Sequence, residues 1–192
     1  FNNLIGGGWV EGPRVSRDIN PLNTRTSMAS SHKPTRPRPG RPPPQRLDLS
    51  NPQQRFDILD AAGAEILARK AELGDLLARK EGKTMPEAID ESMAGNIFEF
   101  FAGEALPVGC DVVPSARPGV GVEVTRGPTG VAGLITPWNF PIALLAWKTA
   151  PALACGNAVV LSRLATDLVP GSAWTIADIL RRAGLPAEVF NR

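Results

Sequence analysis

Two short apolar strands joined by an apolar helix constrain the fold of this 192-residue chain more than any other feature. Residues 131–136 and 157–161 have the pattern of strands, and residues 140–154 between them have the pattern of a helix. Strands that are apolar at consecutive positions are typical of parallel sheets, whose connections need a crossover such as a helix. The pattern predicts a right-handed βαβ unit covered on both faces, followed by a further helix over residues 170–183.

A helical region precedes this unit. Apolar residues recur every three or four positions after residue 50 and predict one amphipathic helix of about seven turns that ends at Gly82. Thr84 to Glu87 then have the pattern of a capping box, which begins a second helix. The residues predicted to face the core are Phe56, Leu59, Ala62, Ile66, Leu73, Leu76 and Leu77, then Ile89, Met93, Ile97, Phe98 and Phe101.

Changes in composition divide the chain into five parts. Residues 1–25 are expected to form short N-terminal strands, and residues 26–49, rich in Ser, Pro and Arg, are expected to be disordered. Residues 50–106 are the helical region. Residues 107–128, with Pro and Gly at both ends, are expected to form an extended arm or oligomerisation hairpin. Residues 129–192 contain the βαβ unit.

The charge of the chain is uneven. There are 21 basic and 19 acidic residues, and five basic residues but no acidic ones lie between Lys33 and Arg46. Subtracting these five from the net charge of +2 leaves −3 for the rest of the chain. Because that tract has no aromatic residue for base stacking, nucleic-acid binding is not predicted. Its R-x-x-P-x-x-P pattern from Arg36 to Pro42 leaves open an interaction protein that binds SH3-type grooves.

The sequence favours a cytoplasmic protein. No run of 18 apolar residues is free of charge, so no membrane partner is predicted, and the first ten residues lack the pattern of a secretory signal. Cys110 and Cys155 have neither CxxC nor metal-ligand spacing, and we expect each to be a small buried or loop residue rather than a metal ligand.

The chemistry is expected where the two strands end. Ligands of open parallel sheets bind at the carboxyl ends of the strands, here residues 136–141 and 162–167. Two prolines and two aromatic residues surround Asn139, whose side-chain amide has two N–H donors. The alternative is a purely structural role, in which Asn139 caps the following helix with Pro141 in its first turn.

The same segment carries a family resemblance. The runs Val131-Ala-Gly-Leu-Ile-Thr-Pro-Trp-Asn-Phe-Pro-Ile142 and Ala146-Trp-Lys-Thr-Ala-Pro-Ala-Leu153 resemble the NAD(P)-dependent aldehyde dehydrogenase superfamily. The resemblance implies an α/β chain with an incomplete aldehyde dehydrogenase-like fold, made of N-terminal helices and the truncated first half of a Rossmann-like dinucleotide-binding domain. Asn20-Pro-Leu-Asn-Thr24 and Val169-Pro-Gly-Ser-Ala-Trp174 are similar to members that act on semialdehydes of oxo-dicarboxylic acids.

The resemblance also implies an oxidoreductase function with NAD or NADP as cofactor and an aldehyde as substrate. It gives Asn139 the role of oxyanion donor to the thiohemiacetal and Lys148 that of proton relay, although Lys148 could equally be a lysine extending from a buried helix. Phe140 would border the aldehyde entrance. The residues that would contact the cofactor are Ile135, Thr136, Pro137 and Trp138. The family holds the ribose with a lysine and an acid that are not matched here, and Asp167 could replace the acid and Arg163 part of the charge.

The chain departs from the family pattern in two ways. The family's general-base glutamate and nucleophilic cysteine have no counterpart in these residues, and neither Cys110 nor Cys155 occupies the place of the nucleophile. The resemblance therefore implies a fragment that is catalytically incompetent alone. The Pro/Arg segment stands where the family has a strand end and an Ala-rich helix, and we hypothesise a local reading-frame shift between residues 25 and 49, which translation of the other two frames would test.

A noncatalytic role is the remaining alternative. The chain could pair with an intact homologue through the arm at residues 107–128, or act as an interaction protein through the Pro/Arg tract at residues 33–46.

Overall fold

The computed structural model describes residues 3–5, 7–11, 15–19, 27–32, 51–163, 170–187 and 189–191. Helices and parallel strands alternate in the second half, which confirms the predicted α/β class. The helices are α1 (Pro52–Ala68), α2 (Lys70–Glu81), α3 (Met85–Asp90), α4 (Ala94–Ala105), α5 (Ala143–Ala154) and α6 (Pro170–Arg182). The strands are β1 (Asn3–Ile5), β2 (Gly8–Val10), β3 (Val15–Ile19), β4 (Ser27–His32), β5 (Asp111–Pro114), β6 (Gly121–Val124), β7 (Val131–Thr136), β8 (Ala158–Arg163) and β9 (Phe190–Asn191).

The prediction of one long helix before Gly82 is wrong, because the helix breaks at Arg69. Arg69 lies outside helical geometry, and its guanidinium bonds Glu65 on α1 at 3.0 Å and Glu72 on α2 at 2.6 Å. The break lets α1 pack against α4 while α2 packs against α3. Gly82 ends α2 as predicted, in the left-handed region with φ 73°, and its N–H donates to the Ala78 carbonyl at 2.9 Å.

The predicted capping box begins α3. The Glu87 carboxylate accepts the Thr84 N–H at 3.4 Å and the Thr84 hydroxyl at 3.0 Å, which satisfies groups that the helix start would otherwise leave unpaired. The expectation that Met93 faces the core is wrong: its side chain is 55% exposed. Met93 lies in a short 3-10 turn between α3 and α4, Glu91–Met93, so the helical period that placed it on the buried face is interrupted.

Helices α1 and α4 form the closest helix contact of the structure's first half. Gly63 and Gly95 face each other there, and a Cβ added to either would lie 2.8 Å from the other's carbonyl oxygen. The two backbones therefore approach at a distance that only glycine allows.

The three-stranded sheet has the order β7-β8-β9, with both pairs parallel. This confirms the predicted βαβ unit, in which α5 packs on both β7 and β8. The expectation that the sheet is covered on both faces is wrong for β7, which is an edge strand whose alternate residues Val131 and Ile135 are 47% and 62% exposed. Strand β8 is central, and Ala158, Val159 and Leu161 are buried.

The remaining strands form three separate antiparallel pairs, β1 with β2, β3 with β4, and β5 with β6. The predicted disordered segment at residues 26–49 begins too early, because Ser27–His32 form strand β4, paired with β3. The Pro/Arg tract at residues 33–46 lies outside the described residues. The predicted arm at residues 107–128 contains the β5–β6 hairpin, and every residue of its two strands is exposed.

The core lies between the helices and the sheet. Its largest fully buried side chains are Phe98, Phe190, Leu59, Ile66, Leu73, Leu77, Ile142, Leu145, Leu153, Ile176, Ile179 and Leu180. Five of these were predicted from the helical period of the first two helices. Within the described residues, no helix combines the length and apolar character needed to cross a bilayer.

Candidate functional site

The segment between β7 and α5 lies at the predicted edge of the sheet. Strand β7 ends at Thr136, and the parallel register pairs Thr136 with Arg163, the last residue of β8. The two carboxyl ends are therefore neighbours, as ligand sites of parallel sheets require. We call residues 137–142, which connect Thr136 to the first residue of α5, the 137–142 turn.

Asn139 lies in this turn with its side chain exposed. The alternative that Asn139 caps the helix is wrong: α5 begins at Ala143, and the capping position is occupied by Ile142, which makes no side-chain cap bond. Instead, the backbone N–H groups at the start of α5 are bonded by a residue that is distant in sequence. Glu91 accepts the Ile142 N–H at 2.7 Å and the Ala143 N–H at 3.3 Å through Oε1. Asn139 is thus available for a ligand.

Lys83 ties the turn to the helical region. Its Nζ donates to the Asn139 carbonyl oxygen at 2.7 Å and lies 2.7 Å from Glu91 Oε2 and 2.8 Å from Glu81 Oε2. The same ammonium lies 4.3 Å from the centre of the Phe140 ring, within range of a cation–π contact. One cation therefore binds the backbone and a side chain of the turn and two carboxylates beside it.

Burial and charge act in opposite directions within this cluster. Burial raises the pKa of Glu81 to about 7, although the Lys83 ammonium opposes the shift. Partial burial disfavours the charge on Lys83, but its hydrogen bonds to Glu81 and Glu91 outweigh that cost and raise the pKa of Lys83. Lys83 is therefore a cation over the physiological range, and Glu81 can change its charge near neutral pH.

The other residues of the predicted site are mostly open to solvent. Ile135, Trp138 and Phe140 are 62%, 48% and 50% exposed. Lys148 is exposed on α5 beside Trp147, and the Trp147 ring meets the Phe101 ring of α4 edge to face at 6.1 Å. This pair is an aromatic contact between α5 and α4.

Arg163 and Asp167 are the two residues predicted at the ribose. The backbone of Arg163 ends β8 beside Thr136, whereas Asp167 lies outside the described residues. Cys155 follows the last residue of α5, at the opposite end of the helix from Asn139, and both cysteines are exposed rather than buried. Among the described residues, no group of three or more His, Cys, Asp and Glu could hold a metal ion.

Sequence reasoning missed Lys83 and Glu91. Glu91 follows the short helix α3 and, although charged, is only 4% exposed. Its bond to Ile142 spans 51 residues, and the bond from Lys83 to Asn139 spans 56. A contact over such separations has no local periodicity, so the sequence alone gave no signal for it beyond the Glu81-Gly-Lys-Thr84 motif.

Comparison with known proteins gives a consistent result. A sequence model of the aldehyde dehydrogenase family matches residues 44–192. The alpha-ketoglutarate semialdehyde dehydrogenase of Haloferax volcanii is 44% identical over 139 residues, which are 72% of this chain and 28% of that protein. The chain therefore spans little more than a quarter of the length of this relative.

Solved structures agree with the sequence match. An NAD-dependent benzaldehyde dehydrogenase from Corynebacterium glutamicum is 31% identical with a TM-score of 0.84, covering 99% of this chain and 44% of its own. An NADP-dependent enzyme of E. coli is 28% identical with a TM-score of 0.85, covering 99% and 41%.

Proposed function

Because the chain belongs to the aldehyde dehydrogenase family, we propose that it supplies the oxyanion donor and the cofactor-contacting turn for oxidation of an aldehyde to a carboxylic acid. The observation that carries the proposal is the 137–142 turn, exposed from Pro137 to Phe140, at the adjoining carboxyl ends of β7 and β8. A hydride acceptor is required for this reaction, and NAD or NADP supplies that chemistry when bound.

The residues present fit a dinucleotide. Dinucleotides bind outside the carboxyl ends of parallel strands, and here that edge is open, with Ile135 and Trp138 offering apolar surface to solvent. Ile135 to Trp138 would hold the cofactor, and Arg163 and Asp167 would bind its ribose. The similarity to one NAD-dependent and one NADP-dependent enzyme leaves both cofactors as candidates.

Asn139 would act on the substrate. An amide N–H aimed at the developing oxyanion stabilises the transition state by about 3 kcal/mol in comparable sites. Its exposed side chain and its freedom from helix capping support this role. Phe140, half exposed beside it, would border the path of the aldehyde, and Lys148 would relay a proton from α5.

The substrate that we propose is a semialdehyde of an oxo-dicarboxylic acid. The relative from Haloferax volcanii acts, by its name, on alpha-ketoglutarate semialdehyde, and two residue runs of this chain resemble that branch.

The exposed, unpaired thiols of Cys110 and Cys155 fit a reducing compartment such as the cytoplasm.

A binding experiment tests the cofactor site. We expect addition of NAD⁺ or NADP⁺ to the ¹⁵N-labelled 192-residue chain to shift the amide resonances of Ile135, Thr136 and Trp138, whereas those of the hairpin residues Val112 and Glu123 stay in place. Equal shifts at both places, or none at the 137–142 turn and its flanks, would exclude this site.

The second candidate function is pairing with an intact homologue through the β5–β6 hairpin. The register places Val113, Val122 and Val124 on one face, where they are 40%, 36% and 42% exposed, and an isolated two-stranded hairpin is marginal in water. Co-purification with a tagged full-length relative tests this role. We expect Val122→Lys to abolish co-purification and Val120→Lys, outside the strands, to preserve it; loss in both or neither would exclude the hairpin as the contact.

A further inference from the structure

A buried ion cluster lies behind the 137–142 turn. The Glu91 side chain is 1% exposed and the Lys83 side chain 17%, although both come from a helical region distant in sequence. A buried carboxylate is costly unless its oxygens are bonded. Both carboxylate oxygens of Glu91 are bonded. Oε1 accepts hydrogen bonds from two backbone N–H groups, one in the turn and one in α5, and Oε2 accepts one from Lys83 Nζ.

Three oxygen atoms surround the Lys83 ammonium. It donates hydrogen bonds to Glu91 Oε2 and to the Asn139 carbonyl oxygen, both at 2.7 Å, and forms an ion pair with Glu81 Oε2 at 2.8 Å. The bond to the Asn139 carbonyl is not needed to neutralise the cation, since two carboxylates already face it. Its effect is on the backbone: it fixes the peptide plane that follows Asn139.

Lys83 and Glu91 thus hold the backbone of the turn at two points. Glu91 fixes Ile142, and Lys83 fixes the carbonyl of Asn139, three residues earlier. Asn139 itself is exposed, while its carbonyl oxygen is bound by Lys83. Enzyme donors are effective when their orientation is set before the reaction, because no reorganisation is then needed.

We propose that Lys83, anchored by Glu91, is a positioning residue that sets the orientation of Asn139. The inference rests on the proposed function for the role of the Asn139 amide, but the contact itself can be tested without catalysis. The competing explanation is that Lys83 only neutralises Glu81 and Glu91 and that its bond to Asn139 is incidental.

The first measurement needs no variant. In the ¹⁵N,¹³C-labelled chain, we expect a scalar coupling across the hydrogen bond between Lys83 Nζ and the carbonyl carbon of Asn139. A coupling to the carboxylates without one to Asn139 would overturn the proposal.

Variants then test whether Lys83 orders the turn. Lys83→Met keeps the length of the side chain but removes both the donor and the charge, and we expect the Ile142 amide to exchange about tenfold faster and the Phe140 amide resonance, from the peptide group that contains the Asn139 carbonyl, to shift. Lys83→Arg should restore both signals, and Lys70→Met, an exposed lysine of α2, should leave them unchanged. Unchanged Phe140 and Ile142 signals in folded Lys83→Met would contradict the proposal.

The outcome is independent of the cofactor test. Asn139→Ala retains the backbone carbonyl, so the coupling to Lys83 should persist in that variant. A chain that shows the coupling but no cofactor shifts would overturn the proposed function and keep the positioning contact. A chain that shows cofactor shifts but no coupling would overturn only the positioning role.

Discussion

At the scale of single residues, the buried carboxylate of Glu91 predicts a large loss of stability on substitution. Glu91→Ala would leave the Lys83 cation and the Ile142 N–H without their buried acceptor. Removing one partner of a buried ion pair costs about 3–5 kcal/mol. Because Lys83 is partly exposed, we expect the free energy of unfolding to fall by about 3 kcal/mol. The urea midpoint at constant m-value measures it.

The control for this variant is Glu87→Ala, which removes the exposed capping box of α3. We expect it to cost about 1 kcal/mol. Glu91→Gln keeps an acceptor for the Ile142 N–H but not the charge. Its loss of unfolding free energy should lie between the losses of Glu87→Ala and Glu91→Ala. Equal losses in the Glu87 and Glu91 variants would show that the buried pair has no special weight.

The raised pKa of Glu81 predicts a pH dependence of stability. Burial raises its pKa from 4.5 to about 7, so between these values the folded chain holds a proton that the unfolded chain releases. The stabilisation of the folded chain by the shifted pKa of Glu81 is therefore complete below pH 4.5 and is lost as the pH rises to about 7. Each pKa unit corresponds to about 1.4 kcal/mol, and screening at this partly buried site reduces the total to about 1–2 kcal/mol.

Glu81→Gln tests this assignment. The variant removes the titration, so the difference in unfolding free energy from the original chain should change between pH 4.5 and 7, as measured by urea unfolding at several pH values. Glu104→Gln, an exposed residue with the same substitution, should show no such change. A pH-independent difference for Glu81→Gln would refute the assignment.

Asn139 shows what the sequence could and could not predict at this scale. Its position after β7, next to the end of β8, was predicted from the apolar strand pattern, because strand ends in a parallel sheet share an edge. Its environment could not be predicted, since the groups that cap α5 and bind its carbonyl lie more than 50 residues away in sequence. Local pattern alone therefore favoured the wrong structural alternative, that Asn139 caps the helix.

At the scale of elements, the α1–α4 contact predicts opposite effects for one substitution at two places. Gly95→Ala would place a Cβ 2.5 Å from Leu67 Cγ and 2.8 Å from the Gly63 carbonyl oxygen, and we expect a loss of about 1–3 kcal/mol. Gly103→Ala, on the same helix with nothing within 4 Å, should instead stabilise by about 0.5–1 kcal/mol. Thermal or urea unfolding measures both, and the same sign in both would contradict the packing.

The elements themselves were predictable to different degrees. Amphipathic period predicted the helical regions and most of their large buried apolar residues, because that period reflects burial directly, but it missed Ile58 and most of the small buried residues. The break at Arg69 carries no Gly or Pro, the residues that usually mark one. It follows from tertiary packing, in which α1 and α2 find different partners, and from ion pairs that hold both sides of the break.

At the scale of the whole molecule, helix α5 separates Cys155 from Asn139, the proposed oxyanion donor. Asn139 precedes the start of α5 and Cys155 follows its end. Twelve residues of helix rise about 18 Å, so Cys155 cannot form a covalent adduct whose oxygen reaches the Asn139 amide. Cys110 lies next to the exposed hairpin strand β5.

We therefore predict that a polypeptide of these 192 residues does not reduce NAD⁺ or NADP⁺ in the presence of a semialdehyde. Absorbance of the reduced cofactor measures this, with the Haloferax volcanii relative as positive control and heat-denatured chain as background. Covalent catalysis needs a thiolate within bonding distance of an aldehyde carbonyl that the proposed oxyanion donor also reaches, and Cys155, at the far end of α5, does not meet this condition. Aldehyde-dependent turnover that disappears in Cys155→Ser or Cys110→Ser would refute the prediction, whereas turnover retained in both variants would indicate a contaminating dehydrogenase.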